Sequence, residues 1–297
     1  MAAMRLAGAD GEGASAAGGN GVAAGPLLTR KIPSSGEEIP ILGLGTSGPF
    51  EVGESAADRA PLEAVLQAFF AAGGRLIDTS PMYSTAERVL GDLLTPAMHA
   101  HAFLATKVWT RGAKAGIEQM SRSGQLMKVP KLDLIQVHNL LDLETQLKTL
   151  RDWKESGRVR YVGITHYTVS SHADLARVIA REKIDFVQLN YSPVTREAEQ
   201  RLLPLAADRG VAVLVNRPFE DGGVFGRVRG KSLPEWAADI QCTSWGQLCL
   251  KYIAAHPAVT CIIPATGKVS HLQDNLAAGR GTLPDARQKA DIVRLLG

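Results

Sequence analysis

In the stretch RLIDTSPMY (75–83), a carboxylate, Asp78, closes an apolar run and a phenol, Tyr83, follows five residues later. Two later apolar runs carry a charge or a ring near their ends in the same way: Lys107 in AFLATKV (102–108) and His138 in LDLIQVHN (132–139). Together these four side chains suit proton donation to a carbonyl oxygen. A free phenol titrates at about 10, too high for an efficient acid near neutrality. A lysine cation beside Tyr83 would lower that value, and Asp78 would hold the lysine charged and oriented. His138 could donate to the same oxygen from the other side. No serine or cysteine nucleophile paired with a base is apparent, which disfavours covalent acyl chemistry. Taken singly, each residue also has an ordinary reading as a helix cap, a solvated rim residue or a buried ring. The coincidence of all four at run ends favours chemistry.

The elements that would position them alternate regularly. Strand candidates are ILGLGT (41–46), RLIDTS (75–80), AFLATKV (102–108), LDLIQVHN (132–139), YVGITH (161–166), DFVQLNY (185–191), VAVLVNR (211–217) and TCIIPAT (260–266). Each is a short run rich in Val, Ile and Leu, as expected for strands buried on both faces. Helix-like segments lie between them. APLEAVLQAFFAAG (60–73) places Leu62, Val65, Leu66 and Phe69 on one face. SHADLARVIARE starts at a capping Ser or His with Leu175, Val178 and Ile179 at the same spacing, and DLETQLKTLRDWKESGR stops at Gly157. The Gly-rich stretch from Phe219 to Leu233 reads as a loop inserted after VAVLVNR, and LLTRKIP-SSGEE-IPILGLGTS as two extended runs around a polar turn. Eight strands alternating with helices predict a single (β/α)8 barrel, whose active site gathers at the C-terminal strand ends. An open doubly wound sheet would want a G-x-G-x-x-G turn after the first strand, and LGLGTSGPFEVG does not supply it.

The length suits either two ordinary domains or one large α/β barrel. The chain has 297 residues, 45% hydrophobic, with a net charge of +3 and only 5% aromatics. Near-balanced, scattered charge gives no nucleic-acid or membrane footprint, and no apolar run is long enough to span a bilayer. Cys242, Cys249 and Cys261 form no C-x-x-C pair. The first two, seven apart in an expected helix, read as core-facing residues in a reducing compartment. Residues 1–26, almost all Ala and Gly, are expected to be a disordered leader ahead of a barrel domain over 27–297. A cytoplasmic location follows, or a periplasmic one if the leader is a trimmed export signal.

The motifs IDTSPMYS, ATKVW, LIQVHN, YVGIT and IIPATGKVSHLQDNLAA resemble the aldo-keto reductase superfamily, from about Ile32 to Leu296. The resemblance implies a (β/α)8 barrel closed at its bottom by an N-terminal hairpin. It implies NADPH-dependent reduction of an aldehyde or ketone to an alcohol, with Asp78, Tyr83, Lys107 and His138 as tetrad, Tyr83 as general acid, and NADH also admitted. Cofactor contacts carry over to Gly45, Thr46, Asp78, Thr165, His166 and Gln188, Thr165 and His166 standing where the family has Ser-Asn. Asn216 replaces the aromatic expected to stack on the nicotinamide; Arg217, whose guanidinium plane can stack, Pro218 and Phe219 follow it. Thr266, Gly267 and Lys268 open a helix whose N–H groups favour an anion. His271 takes the place of an arginine that contacts the 2′-phosphate, and Asp274 and Asn275 match the pair that holds the adenine. Tyr83, Trp109 and His138 are the expected substrate contacts, with Phe50 beside Trp109 at an apolar mouth.

The implied partner is a small carbonyl compound, with no nucleic acid, membrane or metal, in a monomer or weak homo-oligomer. Two rivals stand beside this reading. One is a nicotinamide-nucleotide sensor with little turnover; the other is a metal-dependent hydrolase using Asp78, His138 and His166 as ligands.

Overall fold

The computed structural model describes residues 25–297, so the expected leader lies outside the described residues except for its last two. Two short strands, β1 (Thr29–Lys31) and β2 (Glu38–Pro40), form an antiparallel hairpin. Eight parallel strands follow: β3 (Leu44–Gly45), β4 (Leu76–Asp78), β5 (Phe103–Val108), β6 (Leu132–His138), β7 (Val159–Thr165), β8 (Phe186–Asn190), β9 (Ala212–Asn216) and β10 (Val259–Ile262). They pair in chain order, and parallel bridges Leu42–Ile262 and Gly45–Ala265 bring the first against the last, closing a (β/α)8 barrel. The closure is tight: a Cβ on Gly45 would lie 2.7 Å from the Ile263 carbonyl oxygen, and one on Gly43 2.8 Å from that of Leu76.

The strands are legible as two interleaved sequences, because successive side chains point to opposite faces. Outward residues such as Ile135, Val137, Val187, Leu189, Val213 and Val215 join the helices in the outer core. Inward residues change character along each strand. At the N-terminal end they are Leu76, Phe103, Tyr161, Phe186 and Ala212, one apolar cluster that also takes in Ile32 and Ile39 of the hairpin. The hairpin therefore plugs the barrel bottom. Glu37 in its turn accepts from the Tyr161 hydroxyl (2.8 Å) and pairs with Arg160 and Arg75, tying the plug to the strands. At the C-terminal end the inward residues are polar: Asp78, Lys107, Gln136, His138, Thr165, Gln188 and Asn216, nearly all of them buried.

Several expectations shift in detail. The helix expected over 60–73 is Ala56–Ala71, opened by Ser55, whose side chain accepts from the Ala57 amide. Pro61 lies inside it rather than at its start, with the expected Leu62, Val65, Leu66 and Phe69 buried. Ser171 makes no side-chain cap to the helix His172–Arg181, because a 3-10 turn over Val169–Ser171 leads into it. Cys242 is buried but precedes the helix Trp245–Ala254 that holds Cys249. The stretch after Phe219 is more than a loop: it folds as a 3-10 turn (Glu220–Gly222) and a short helix (Gly223–Arg227). Among the described residues, no helix is long and apolar enough to cross a membrane.

Candidate active site

The polar ends of the strands surround a cavity of about 1230 Å³ that opens at the C-terminal end of the barrel. On its floor, β4 ends at Asp78 and the neighbouring β5 carries Lys107, which is fully buried. The Lys107 ammonium donates to Asp78 Oδ2 (2.6 Å) and to the Thr79 carbonyl (2.8 Å). The other carboxylate oxygen, Oδ1, accepts from Gln136 Nε2 (3.1 Å) and Gln188 Nε2 (2.9 Å). Asn216 extends the layer by donating to Gln188 Oε1 (3.2 Å) and to the His166 carbonyl (3.3 Å). Gly163 makes room for it, since a Cβ there would lie 3.1 Å from Gln136 Cγ and 2.8 Å from the Phe186 carbonyl oxygen. Burial disfavours the ammonium, but Asp78 and the nearby phenol outweigh it and hold the Lys107 pKa above its ordinary value.

Tyr83 and His138 stand together at one edge of this floor. The Lys107 ammonium sits 4.8 Å from the centroid of the Tyr83 ring, and the Tyr83 and His138 rings meet edge to face at 6.3 Å. Burial raises the phenol pKa above its ordinary value, while Lys107 pulls it down and Asp78 pushes it up. The net effect is upward, so the expected lowering of the phenol is overturned: desolvation outweighs the lysine. The His138 imidazole is pushed down to about 3, by burial first and then by Lys107 and His166, and is neutral at ordinary pH. Its Nδ1 lies 3.2 Å from Ser80 Oγ.

Strain gathers around the same mouth. Nine non-glycine residues have positive φ among the described residues, and seven of them (Ser84, Asn139, Leu140, Asp142, Arg217, Glu220 and Asp221) fall in the loops after β4, β6 and β9. Such conformations cost about 1–3 kcal/mol each and cluster at functional sites.

The structure sorts the other sequence-derived positions. Gly45, Thr46, Thr165, Gln188, Asn216, Arg217, Pro218, Phe219, Thr266, His271, Asp274 and Asn275 line the cavity, as do Asp78, Tyr83, His138 and Trp109. Gly267 and Lys268 line an adjoining hollow of about 370 Å³ instead, together with Asp58, Thr266 and His271. His166 is not brought to the cavity: its Nδ1 accepts from the Tyr167 (3.0 Å) and Thr168 (3.3 Å) amides, and its Nε2 meets Ser171 Oγ at 3.0 Å. Its neighbour Tyr167 faces the cavity in its place. Phe50 is fully buried in the outer core and does not line the mouth, whereas Met82 and Trp109 do. Asp274 is taken up by Ser244 Oγ and Gln247 Nε2, both at 2.7 Å. Asp78, His138 and His166 are not arranged as metal ligands, and no cluster of three His, Cys, Asp or Glu side chains suited to a metal occurs among the described residues.

Ser80, Gln136 and Tyr167 were missed by sequence reasoning. Ser80 stood inside the quoted IDTSPMYS and Gln136 inside LIQVHN; the inward alternation of the strand could have exposed Gln136. Nothing in the sequence singled out Tyr167.

A closed barrel with buried acid–lysine chemistry at its C-terminal rim defines a class, and comparison with known proteins names it. The aldo/keto reductase family model matches residues 41–292, most of the chain. The chain belongs to that family and is an oxidoreductase of its nicotinamide-nucleotide-dependent kind. It is 26% identical over 262 residues to the methylglyoxal reductase YeaE of Escherichia coli K12, covering 84% of this chain and 89% of that protein. Identity is again 26%, over 299 residues, with the aldo-keto reductase str7 of Strobilurus tenacellus, covering 85% and 87%. A Klebsiella pneumoniae aldo-keto reductase solved with NADPH shares the fold, with a TM-score of 0.77 at 23% identity over 91% of this chain and 95% of that one.

His138 gives a prediction of stability against pH. Its folded pKa, about 3, lies below the ordinary 6.5, so the folded state binds this proton more weakly than the unfolded chain. Above about pH 6.5 the ring adds no penalty; as pH falls from there towards 3, the folded state should lose about 1.4 kcal/mol per unit from this site. Denaturant unfolding of the wild type and His138→Gln at several pH values checks it. The variant should lose that share of the slope; identical slopes would mean that His138 is solvated.

Proposed function

We propose that the protein reduces the carbonyl group of a small aldehyde or ketone to an alcohol at the expense of NADPH, with Tyr83 giving the proton to the carbonyl oxygen. The observation that carries this reading is the floor of the cavity, where a protonated phenol and a neutral imidazole stand side by side above a buried Asp78–Lys107 pair.

The residues present fit the nucleotide. The cavity exceeds the roughly 300–1,000 Å³ of an ordinary small-ligand pocket, which leaves room for a dinucleotide beside a small substrate. Asn139 and Asn216, both on its lining, keep buried amide oxygens without a partner, so hydrogen-bonding capacity is unused there. Thr165, Gln188 and Asn216 would hold the nicotinamide end. Thr266, His271 and Asn275 would hold the adenosine end, with Lys268 in the adjoining hollow as the cation for a 2′-phosphate. His166 has no part in this assignment, since both its ring nitrogens serve its own loop. When bound, the reduced nucleotide supplies the hydride that goes to the carbonyl carbon.

The chain's own residues do the rest. His138, neutral, donates a hydrogen bond to the carbonyl oxygen and fixes it next to the phenol. As negative charge develops on that oxygen, Tyr83 transfers its proton, leaving a phenolate. The Lys107 ammonium stabilises that phenolate across a desolvated gap, where the interaction is stronger than in water. Asp78 keeps the ammonium aimed by accepting its hydrogen bond. Met82, Tyr167 and Trp109 give the substrate an apolar wall.

Two outcomes check the assignment. Tyr83→Phe removes the proton and little else, so turnover of NADPH with an aldehyde should fall by about 10²-fold or more while the fold survives; near-wild-type rates in that variant would remove Tyr83 from the role. Lys268→Ala should weaken NADPH more than NADH in direct binding titrations, by about 1.5–3 kcal/mol for a lost charge-assisted contact. Asp58 lines the same hollow and opposes a phosphate, so the wild-type preference for NADPH should be modest. Equal weakening of both nucleotides would take Lys268 away from the 2′-phosphate.

A further inference from the structure

We propose that Ser80 is a positioning residue for His138: its hydroxyl donates to Nδ1 and so keeps the ring proton on Nε2, the nitrogen left for the substrate. The inference rests on the proposed function, in which His138 must present a donor to a carbonyl oxygen.

The hydrogen-bond accounting carries it. Ser80 is buried, and its Oγ has two partners in reach, the Met82 amide at 3.1 Å and His138 Nδ1 at 3.2 Å. The Met82 N–H can only donate, so the Ser80 oxygen accepts there. Its hydroxyl hydrogen then has one acceptor available, the Nδ1 lone pair. The opposite tautomer, with the proton on Nδ1, would aim two donors at one oxygen and leave the buried hydroxyl hydrogen without an acceptor, the costlier arrangement. Because the ring is neutral it carries a single proton, and a hydrogen bond to one nitrogen decides where that proton sits. His138 Nε2 has no protein partner among the described residues, and the ring lines the cavity. Its proton therefore faces the space a substrate oxygen would enter.

The backbone makes this contact a built feature of the rim. Ser80 lies two residues beyond Asp78, and its carbonyl accepts from the Tyr83 amide at 3.0 Å, so it belongs to the turn that presents the phenol. The same short segment thus holds Asp78 against the lysine, sets the start of the Tyr83 turn and orients the imidazole from β6. A serine in this position couples the two proton donors, because its hydroxyl reaches the ring that stands edge to face with the phenol.

The test reads the tautomer directly. The full-length protein, labelled with ¹⁵N-histidine and free of nucleotide and substrate, is examined by long-range ¹H–¹⁵N correlation, the His138 signals being identified by their loss in His138→Gln. The wild type should show a pyrrole-type Nε2 and a pyridine-type Nδ1. Ser80→Ala should give mixed or reversed tautomers together with a fall of about 10-fold in kcat/KM for an aldehyde, the scale of one lost hydrogen bond. Ser80→Thr, which keeps the hydroxyl, should restore both. A proton on Nδ1 in the wild type would overturn the inference, and so would an unchanged tautomer in Ser80→Ala. Should Ser80→Ala fail to fold, the wild-type and Ser80→Thr spectra still decide. A wild type that reduces no carbonyl compound would instead overturn the functional reading, and the tautomer would still settle what Ser80 does.

Discussion

The buried ion pair between Asp78 and Lys107 is the constraint on which the rim depends. Removing two charges from water costs several kcal/mol for each ion, and their attraction offsets this only when every remaining donor and lone pair is satisfied. Here four strands supply partners for two of the three ammonium protons and for both carboxylate oxygens. The ammonium has the carboxylate and the Thr79 carbonyl; the carboxylate has the ammonium and two glutamine amides. Gln136 and Gln188 must reach Asp78 across the barrel, so the register of β6 and β8 against β4 and β5 is tied to the pair. Losing one partner would leave an uncompensated buried charge, a cost of about 3–5 kcal/mol. That the chain carries such a pair on the floor of this cavity, when an apolar filling would often be as stable, points to use in chemistry.

The electrostatics change how the lysine acts. Sequence reasoning had Lys107 lowering the phenol pKa in the resting site, but burial raises it further than the lysine lowers it. Tyr83 therefore rests as a fully protonated donor. In the proposed reaction the lysine would matter most as a phenolate forms, because its charge is already in place and needs no reorganisation. The imidazole follows the same logic from the opposite side: burial and the nearby ammonium keep it neutral, so it can orient an oxygen without competing as a base.

Much of this was legible in the sequence, for a physical reason. Strands buried on both faces produce dense Val, Ile and Leu runs, and eight of those spaced by helices leave little besides a barrel. The same density hid part of the polar layer: Gln136 lies in an apolar run, and only the alternation of inward and outward residues separates it. Strand ends located Asp78, Lys107 and His138, since a barrel places them on one rim. His166 stands off the cavity because a loop's own amides hold its ring, a local competition that residue type does not reveal. Phe50 failed similarly: an aromatic beside a mouth packs inward unless something keeps it out. Ser80 was overlooked because a serine after a strand has many unremarkable uses, and only its distance to His138 distinguishes it.

The nucleotide side is less conventional than the acid side. Asn216, bound to Gln188 and to the His166 carbonyl, serves the polar floor and offers no aromatic face, while Tyr167 and Arg217, 5.8 Å apart, flank the groove nearby. Whether this arrangement serves hydride transfer is the central claim, and the destination of the hydride tests it most directly. NADPH carrying deuterium at both C4 positions of the nicotinamide is incubated with the enzyme and a small aldehyde, and the alcohol is analysed by mass spectrometry and NMR. The account predicts one deuterium on the carbinol carbon for each nucleotide oxidised; unlabelled alcohol, or nucleotide oxidised without alcohol formed, would contradict it.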